Sequence, residues 1–171
     1  TLHYTVAAMS FFLRNLNKPF VLTYSQRSVD RASSDANLNL QCAALVAISD
    51  IAEVMLVGHA STNDNFCYAL PGTKTRKLHA SRRDAFKVVN SKPFAKIYSD
   101  RIDGISEYRV RNKGKVKADR KFEEKVALLK FYPGMNSDIL DYYLKKKYKG
   151  IVIEMLGLGQ IATSESKIGW T

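Results

Sequence analysis

The residues best suited to chemistry lie in Gly72-Thr73-Lys74-Thr75-Arg76-Lys77, directly after the turn signal Pro71-Gly72. The alternating run Asn65-Phe66-Cys67-Tyr68-Ala69-Leu70 precedes it, and the strand-like Thr75-Arg76-Lys77-Leu78-His79-Ala80 continues it. Lys74 is therefore expected on a hairpin, held more rigidly than a lysine on a helix surface. A desolvated amine gives up its proton easily and can act as base for a hydroxyl nucleophile. By spacing alone the same pattern is that of a solvated basic hairpin, so other stretches must decide between the two.

The remaining polar candidates read as structural. His59 and His79 are expected as a loop residue and a surface strand residue. Asp30 belongs in a loop, and Asp35 precedes an apolar helical pattern as its cap. Arg82-Arg83-Asp84 reads equally as an ion-pair network or as an interface. Cys42 and Cys67 stand far apart in sequence, outside any CxxC or Cys/His cluster, so metal-site spacing is missing and they read as small buried thiols of a reducing compartment. Gly157-x-Gly159 follows a strand but lacks the third glycine and a convincing helix, which predicts a tight turn in place of a nucleotide loop.

The elements that would position Lys74 follow from periodicity. Val6, Met9, Phe12, Leu13 and Leu16 fall on one side of a helix over residues 2–16, stopped by Lys18-Pro19. Residues 20–24 form a short buried strand. A polar loop over 25–34 leads to a helix over 36–49, with Leu38, Cys42, Leu45 and Val46 inward. Residues 53–58 supply the next buried strand. This rhythm predicts a layered α/β fold with a largely parallel sheet, in which ligands sit beyond the carboxyl ends of the strands. The loops after Tyr24 and Gly58 would line that edge, and the lysine hairpin would have to reach it.

Residues 1–108 are expected as one α/β domain, 109–125 as a solvated basic linker around Gly114, and 126–171 as the beginning of a second, smaller α/β domain. That second part reads as strand 126–132, a helix capped by Ser137, and strand 150–156. The formal net charge of +11 suits association with a polyanion such as tRNA, although it speaks of long-range fields and not of a site. The first residues lack the basic flank of a signal peptide and no segment reaches membrane-spanning length, so the reading is cytoplasmic, with no membrane contact.

The stretches Thr23-Tyr24-Ser25-Gln26-Arg27-Ser28, Asp30 to Asn37, Gly58-His59-Ala60-Ser61 and Gly72-Thr73-Lys74 follow one another in an order that resembles the asparaginase/glutaminase family with a threonine nucleophile. Asp64-Asn65-Phe66-Cys67-Tyr68-Ala69 and Ser81-Arg82-Arg83-Asp84-Ala85-Phe86 resemble, more narrowly, the D-type subunits of archaeal glutamyl-tRNA(Gln) amidotransferases. The resemblance implies an asparaginase-type fold and amide hydrolysis that supplies ammonia to a partner subunit. That partner would use ATP and Mg to amidate glutamate on mischarged tRNA, with no cofactor in this chain. A homodimer of this subunit is also implied.

Of the family's catalytic groups the resemblance carries over Lys74 as base. Ser25 contacts the substrate amide through its backbone, and Thr1 helps from behind. The threonine–aspartate pair would stand immediately before Thr1 and the nucleophile further upstream. The chain thus reads as an internal fragment, inactive by itself. A free-standing L-asparaginase and a catalytically incomplete basic binding module are the alternatives.

Overall fold

The computed structural model describes residues 1–162, whose contacts divide the chain into Thr1–Arg120 and a second unit that begins at Lys121. The first unit opens with α1 (Leu2–Phe12), which runs into β1 (Leu13–Arg14), then β2 (Phe20–Thr23), α2 (Ala36–Ala47) and β3 (Val54–His59). Next come β4 (Cys67–Pro71), a tight helical turn at Gly72–Lys74, β5 (Thr75–Lys77), β6 (Phe86–Val88), β7 (Ala95–Ile97), β8 (Ile102–Gly104) and β9 (Lys117–Ala118). The second unit holds β10 (Val126–Lys130), α3 (Asp138–Lys145) and β11 (Gly150–Glu154).

The main sheet has the order β2-β3-β4-β7-β8. It is α/β in class but mixed in direction: β2 and β3 are parallel, while β3/β4, β4/β7 and β7/β8 are antiparallel. The expectation of a largely parallel sheet thus holds only at its β2 edge. The reason is connection length: α2 gives the crossover that parallel strands need, whereas the short loop from His59 to Cys67 can only turn the chain back. β3 is buried along its whole length, as an apolar run in the middle of a sheet should be.

Each face of the sheet has its own core. One is built by Cys42, Ala43 and Val46 of α2 against Ile51, Met55, Val57, Cys67, Ala69, Ala95 and Ile97. The other joins Val6 and Leu16 to Val54, Leu56, Leu70, Ala85 and Phe86, with α1 and the β5–β6 hairpin on top. The inner register of α2 is Asn39, Cys42, Ala43 and Val46, and Leu38 and Leu45 pack at its margin.

Residues 109–119, expected as part of a linker, are tied to the first unit. Arg109 pairs with Glu53 through two guanidinium contacts of 2.9 and 2.6 Å, and its carbonyl accepts from the Ala52 amide. The Arg111 guanidinium donates to the carbonyls of Ala47 and Ser49, capping the end of α2. β9 pairs with β1. Arg109 and Arg111 are anchored by a carboxylate and by backbone carbonyls, partners that composition alone does not reveal.

In the second unit β10 and β11 are parallel in register Val126↔Gly150, connected by α3, which gives the expected βαβ unit. Ser137 occupies the cap position but makes no side-chain cap, and Asn136 Oδ1 accepts from the Asp138 amide instead. Gly157 and Gly159 adopt positive φ in a tight turn closed between Leu156 and Gln160, as predicted. Trp170 and Thr171 lie outside the described residues. No helix among the described residues is long and apolar enough to cross a membrane.

Candidate active site

Three segments meet at the carboxyl edge of β2 and β3: the loop after Thr23, the loop after His59, and the tip of the β5–β6 hairpin. Tyr24 joins the first to the third. Its hydroxyl donates to the Arg83 carbonyl at 2.9 Å, its ring lies 4.5 Å from that of Phe86, and burial pushes its phenol pKa up. Gly58 makes room for it, since a Cβ there would stand 2.3 Å from Tyr24 Cε1.

Asp35, expected to cap α2, stands at the cap position, but its carboxylate makes no such bond and turns back onto the preceding loop. Fully buried, it accepts from the Gln26 and Arg27 amides at 3.0 Å, the Ser25 hydroxyl at 3.1 Å and Asn39 Nδ2 at 3.2 Å. Four donors on one carboxylate hold the backbone of residues 25–27 in place. Ser25 itself is exposed, and its hydroxyl also donates to the Arg27 carbonyl. Beside it an open cleft of about 370 Å³ is lined by Gln26, Arg27, Ser28, Arg31 and Ser81.

The hairpin tip is organised by ion pairs. Arg82 forks onto Asp84 with two contacts of 3.0 Å, and Lys87 Nζ reaches Asp84 Oδ2 at 2.7 Å and the Ala60 carbonyl at 3.1 Å. Burial works against the Asp84 carboxylate, but the bonds from Lys87 and Arg82 outweigh it and hold the carboxyl below the ordinary range. Arg83 pairs with Asp64 at 2.7 Å and donates to the Thr62 carbonyl. His79 is exposed, and its Nδ1 accepts from the Ser81 and Arg82 amides at 3.1 Å.

The lysines of the hairpin occupy different ends of β5. Pro71 pairs with Met55, and a Cβ on Gly72 would meet Ser10 Oγ and the carbonyls of Val6 and Val54. The turn carrying Lys74 is thus at the amino end of β3, where Lys74 is exposed. β5 then runs the other way: Lys77 is opposite Phe86, its ammonium 5.6 Å from the ring centroid. Thr1, at the start of α1, lies about 13 Å along the helix axis from Ser10. Burial, with the Arg76 and Lys77 cations, lowers the His3 pKa. Lys74 and Lys77 thus stand at opposite ends of β5, with Lys77 at the Phe86 end.

His59, expected as a loop residue, is the buried last residue of β3, hydrogen-bonded to Asn39 and Asp64. Cys42 and Cys67, distant in sequence, are buried neighbours whose thiols share a hydrogen bond. That bond, with burial, pushes Cys67 up.

The family profile described as "Asparaginase, N-terminal" matches residues 1–109. The chain belongs to the asparaginase family. Among curated relatives it is 56% identical over 161 residues to the D-type subunit of glutamyl-tRNA(Gln) amidotransferase from Pyrococcus furiosus, covering 93% of this chain and 37% of that protein. It is 47% identical over 163 residues to the corresponding D-type subunit from Methanobrevibacter smithii, covering 94% of this chain and 37% of the relative. The thermostable L-asparaginase from Thermococcus kodakarensis has the same fold, with TM-score 0.84 and 26% identity over 99% of this chain and 48% of that one. The L-asparaginase I of Vibrio cholerae superposes with TM-score 0.78 and 25% identity, over 95% and 48% of the two chains. The chain thus spans just over a third of the curated relatives' length and about half of the solved asparaginases.

Proposed function

We propose that this chain belongs to the ammonia-producing subunit of a tRNA-dependent amidotransferase, hydrolysing an amide donor with an asparaginase-type threonine site. The observation that carries it is the 56% identity along nearly the whole chain to a D-type amidotransferase subunit, set against 26% to a free L-asparaginase. The site geometry agrees with amide chemistry. The clamp of Asp35 presents the backbone at Ser25 as a fixed acceptor for a substrate amide, and by the resemblance Thr1 helps from behind. By the family resemblance the threonine nucleophile comes from upstream of Thr1. A lysine would take its proton. The resemblance names Lys74; Lys77, at the Phe86–Tyr24 end of β5 beside the loop after β2, is the second candidate and the one we take as the base. Ammonia would pass to a partner subunit that, with ATP and Mg, amidates glutamate on mischarged tRNA. The subunit itself would work as a homodimer in the cytoplasm.

The test is ammonia release from glutamine and asparagine by the full-length protein, with and without its partner subunit and glutamyl-tRNA(Gln). Stimulation by both additions is expected, because a subunit that donates ammonia gains nothing from wasting its donor. Fast hydrolysis of free asparagine, indifferent to either addition, would overturn this reading and leave a free-standing asparaginase.

A further inference from the structure

Asn39 connects α2 to the ends of both parallel strands. Its Nδ2 donates to the Tyr24 carbonyl at 2.9 Å and to Asp35 Oδ2 at 3.2 Å. Two acceptors on one side fix which end of the amide is nitrogen. The oxygen end then faces His59 Nδ1 at 2.6 Å and the Cys67 thiol at 3.4 Å. An amide oxygen can only accept, so Nδ1 carries a proton. On the other side of the ring, Nε2 stands 2.9 Å from Asp64 Oδ1. The same oxygen accepts from the Arg83 guanidinium at 2.7 Å, so the ring and the hairpin tip meet on one carboxylate.

The result is a continuous chain: Arg83, Asp64, His59, Asn39, Asp35 and the amides of Gln26 and Arg27. It begins at the hairpin tip and ends at the loop that carries Ser25. The His59 side chain is fully buried, whereas that of Asp64 is 63% exposed, so solvent meets the chain at the carboxylate and not at the ring. The other titratable and charged groups on the surrounding elements are Cys42 on α2, Cys67 on β4, Tyr24 after β2, and Asp84 and Lys87 on the hairpin.

We propose that His59 is a positioning residue, hydrogen-bonded between Asn39 and Asp64, that fixes the loop at residues 25–27 for the amide substrate and ties it to the hairpin tip at Arg83. This rests on the amide-hydrolase reading above for its kinetic part only. If the bond to Asp64 is lost, the ring is no longer held from the solvent side and can tilt, loosening its bond to Asn39 and with it the amide that holds Asp35.

The experiment uses the full-length protein and two measurements. The first follows the His59 ring nitrogens and the Gln26 and Arg27 amides by NMR at pH 7. The second measures KM and kcat for ammonia release. In the unaltered protein the Nδ1 proton should be held against the Asn39 oxygen and exchange slowly with solvent. Asp64→Asn replaces an exposed carboxylate, so the fold persists. The His59 Nε2 resonance and the Gln26 and Arg27 resonances should move, and KM should rise by up to about a hundredfold with a smaller change in kcat. Asp64→Glu should recover most of the lost affinity. A rapidly exchanging Nδ1 proton in the unaltered protein, or unmoved Gln26 and Arg27 amides in Asp64→Asn, would overturn the proposal. If the unaltered protein hydrolyses no amide, the functional reading fails, and the resonances still decide the positioning.

Discussion

Lys77 and Phe86 stand opposite each other across the β5–β6 ladder, with the Lys77 ammonium 5.6 Å from the ring centroid. The ring also touches Tyr24, so the pair binds the lysine end of β5 to the loop after β2. Lys74, three residues earlier, is solvated at the other end of the strand. In the full-length protein Lys77→Met should therefore lower kcat/KM for amide hydrolysis by about two to four orders of magnitude, the usual worth of a positioned base. Lys74→Met should leave most of the rate. Steady-state ammonia release by the two variants, with circular dichroism as a check on folding, decides between them. The reverse order would return the role to Lys74.

How much of this was open to the sequence depends on the range of the signal. Helix and strand periods predicted the α/β class, α2, β3 and the βαβ unit of the second part, because each is a local pattern. Direction is not local. Which of two lysines reaches the strand edge follows from β4 turning back on β3, and the stretch Gly72-Thr73-Lys74 is silent on that. Asp35 was in the right position for a cap, yet competing donors eight to ten residues upstream took its carboxylate. The His59 chain draws on residues 35, 39, 59, 64 and 83, so no window contains it. A usable clue was present: Asn39 lies in register with Cys42 and Val46 on the apolar face of α2, where a polar residue needs a buried partner.

The approach of Tyr24 to Gly58 gives a second prediction. Gly58→Ala puts a methyl carbon 2.3 Å from Tyr24 Cε1, and the ring, bonded to Arg83 and stacked on Phe86, cannot swing freely. Overpacking of this kind costs about 1–3 kcal/mol. Urea unfolding should show that loss, and it should nearly vanish when the same change is made in a Tyr24→Ala background. An equal cost in both backgrounds would mean that the backbone, not the ring, objects to the methyl.

The buried thiols give a third. Cys42 and Cys67 are fully enclosed, and their shared hydrogen bond and burial push the Cys67 thiol up, away from the reactive thiolate. A thiol-specific disulfide reagent at pH 8 should leave both untouched in the folded protein and modify both in denaturant. Rapid labelling of either without denaturant would show that the α2–β4 contact opens on its own.

The last prediction concerns acid. Asp84 is 4% exposed and holds Lys87 and Arg82, whose side chains are 40% and 53% exposed. Removing the carboxylate by Asp84→Asn should cost about 1–2 kcal/mol at pH 7, the low end for charged hydrogen bonds because solvent screens both cations. The pH dependence has a definite sign. The folded carboxyl titrates below the ordinary range, so between the two values the unfolded chain binds more protons, and stability rises with pH there. The contribution is complete above the unfolded aspartate value of about 3.9 and disappears as pH falls through the lower, folded one. Urea unfolding of the full-length protein and of Asp84→Asn should thus diverge at pH 7 and converge as the medium approaches pH 3. A gap that persists undiminished at pH 3 would mean that the substitution acts through packing at the hairpin tip and not through the ion pairs.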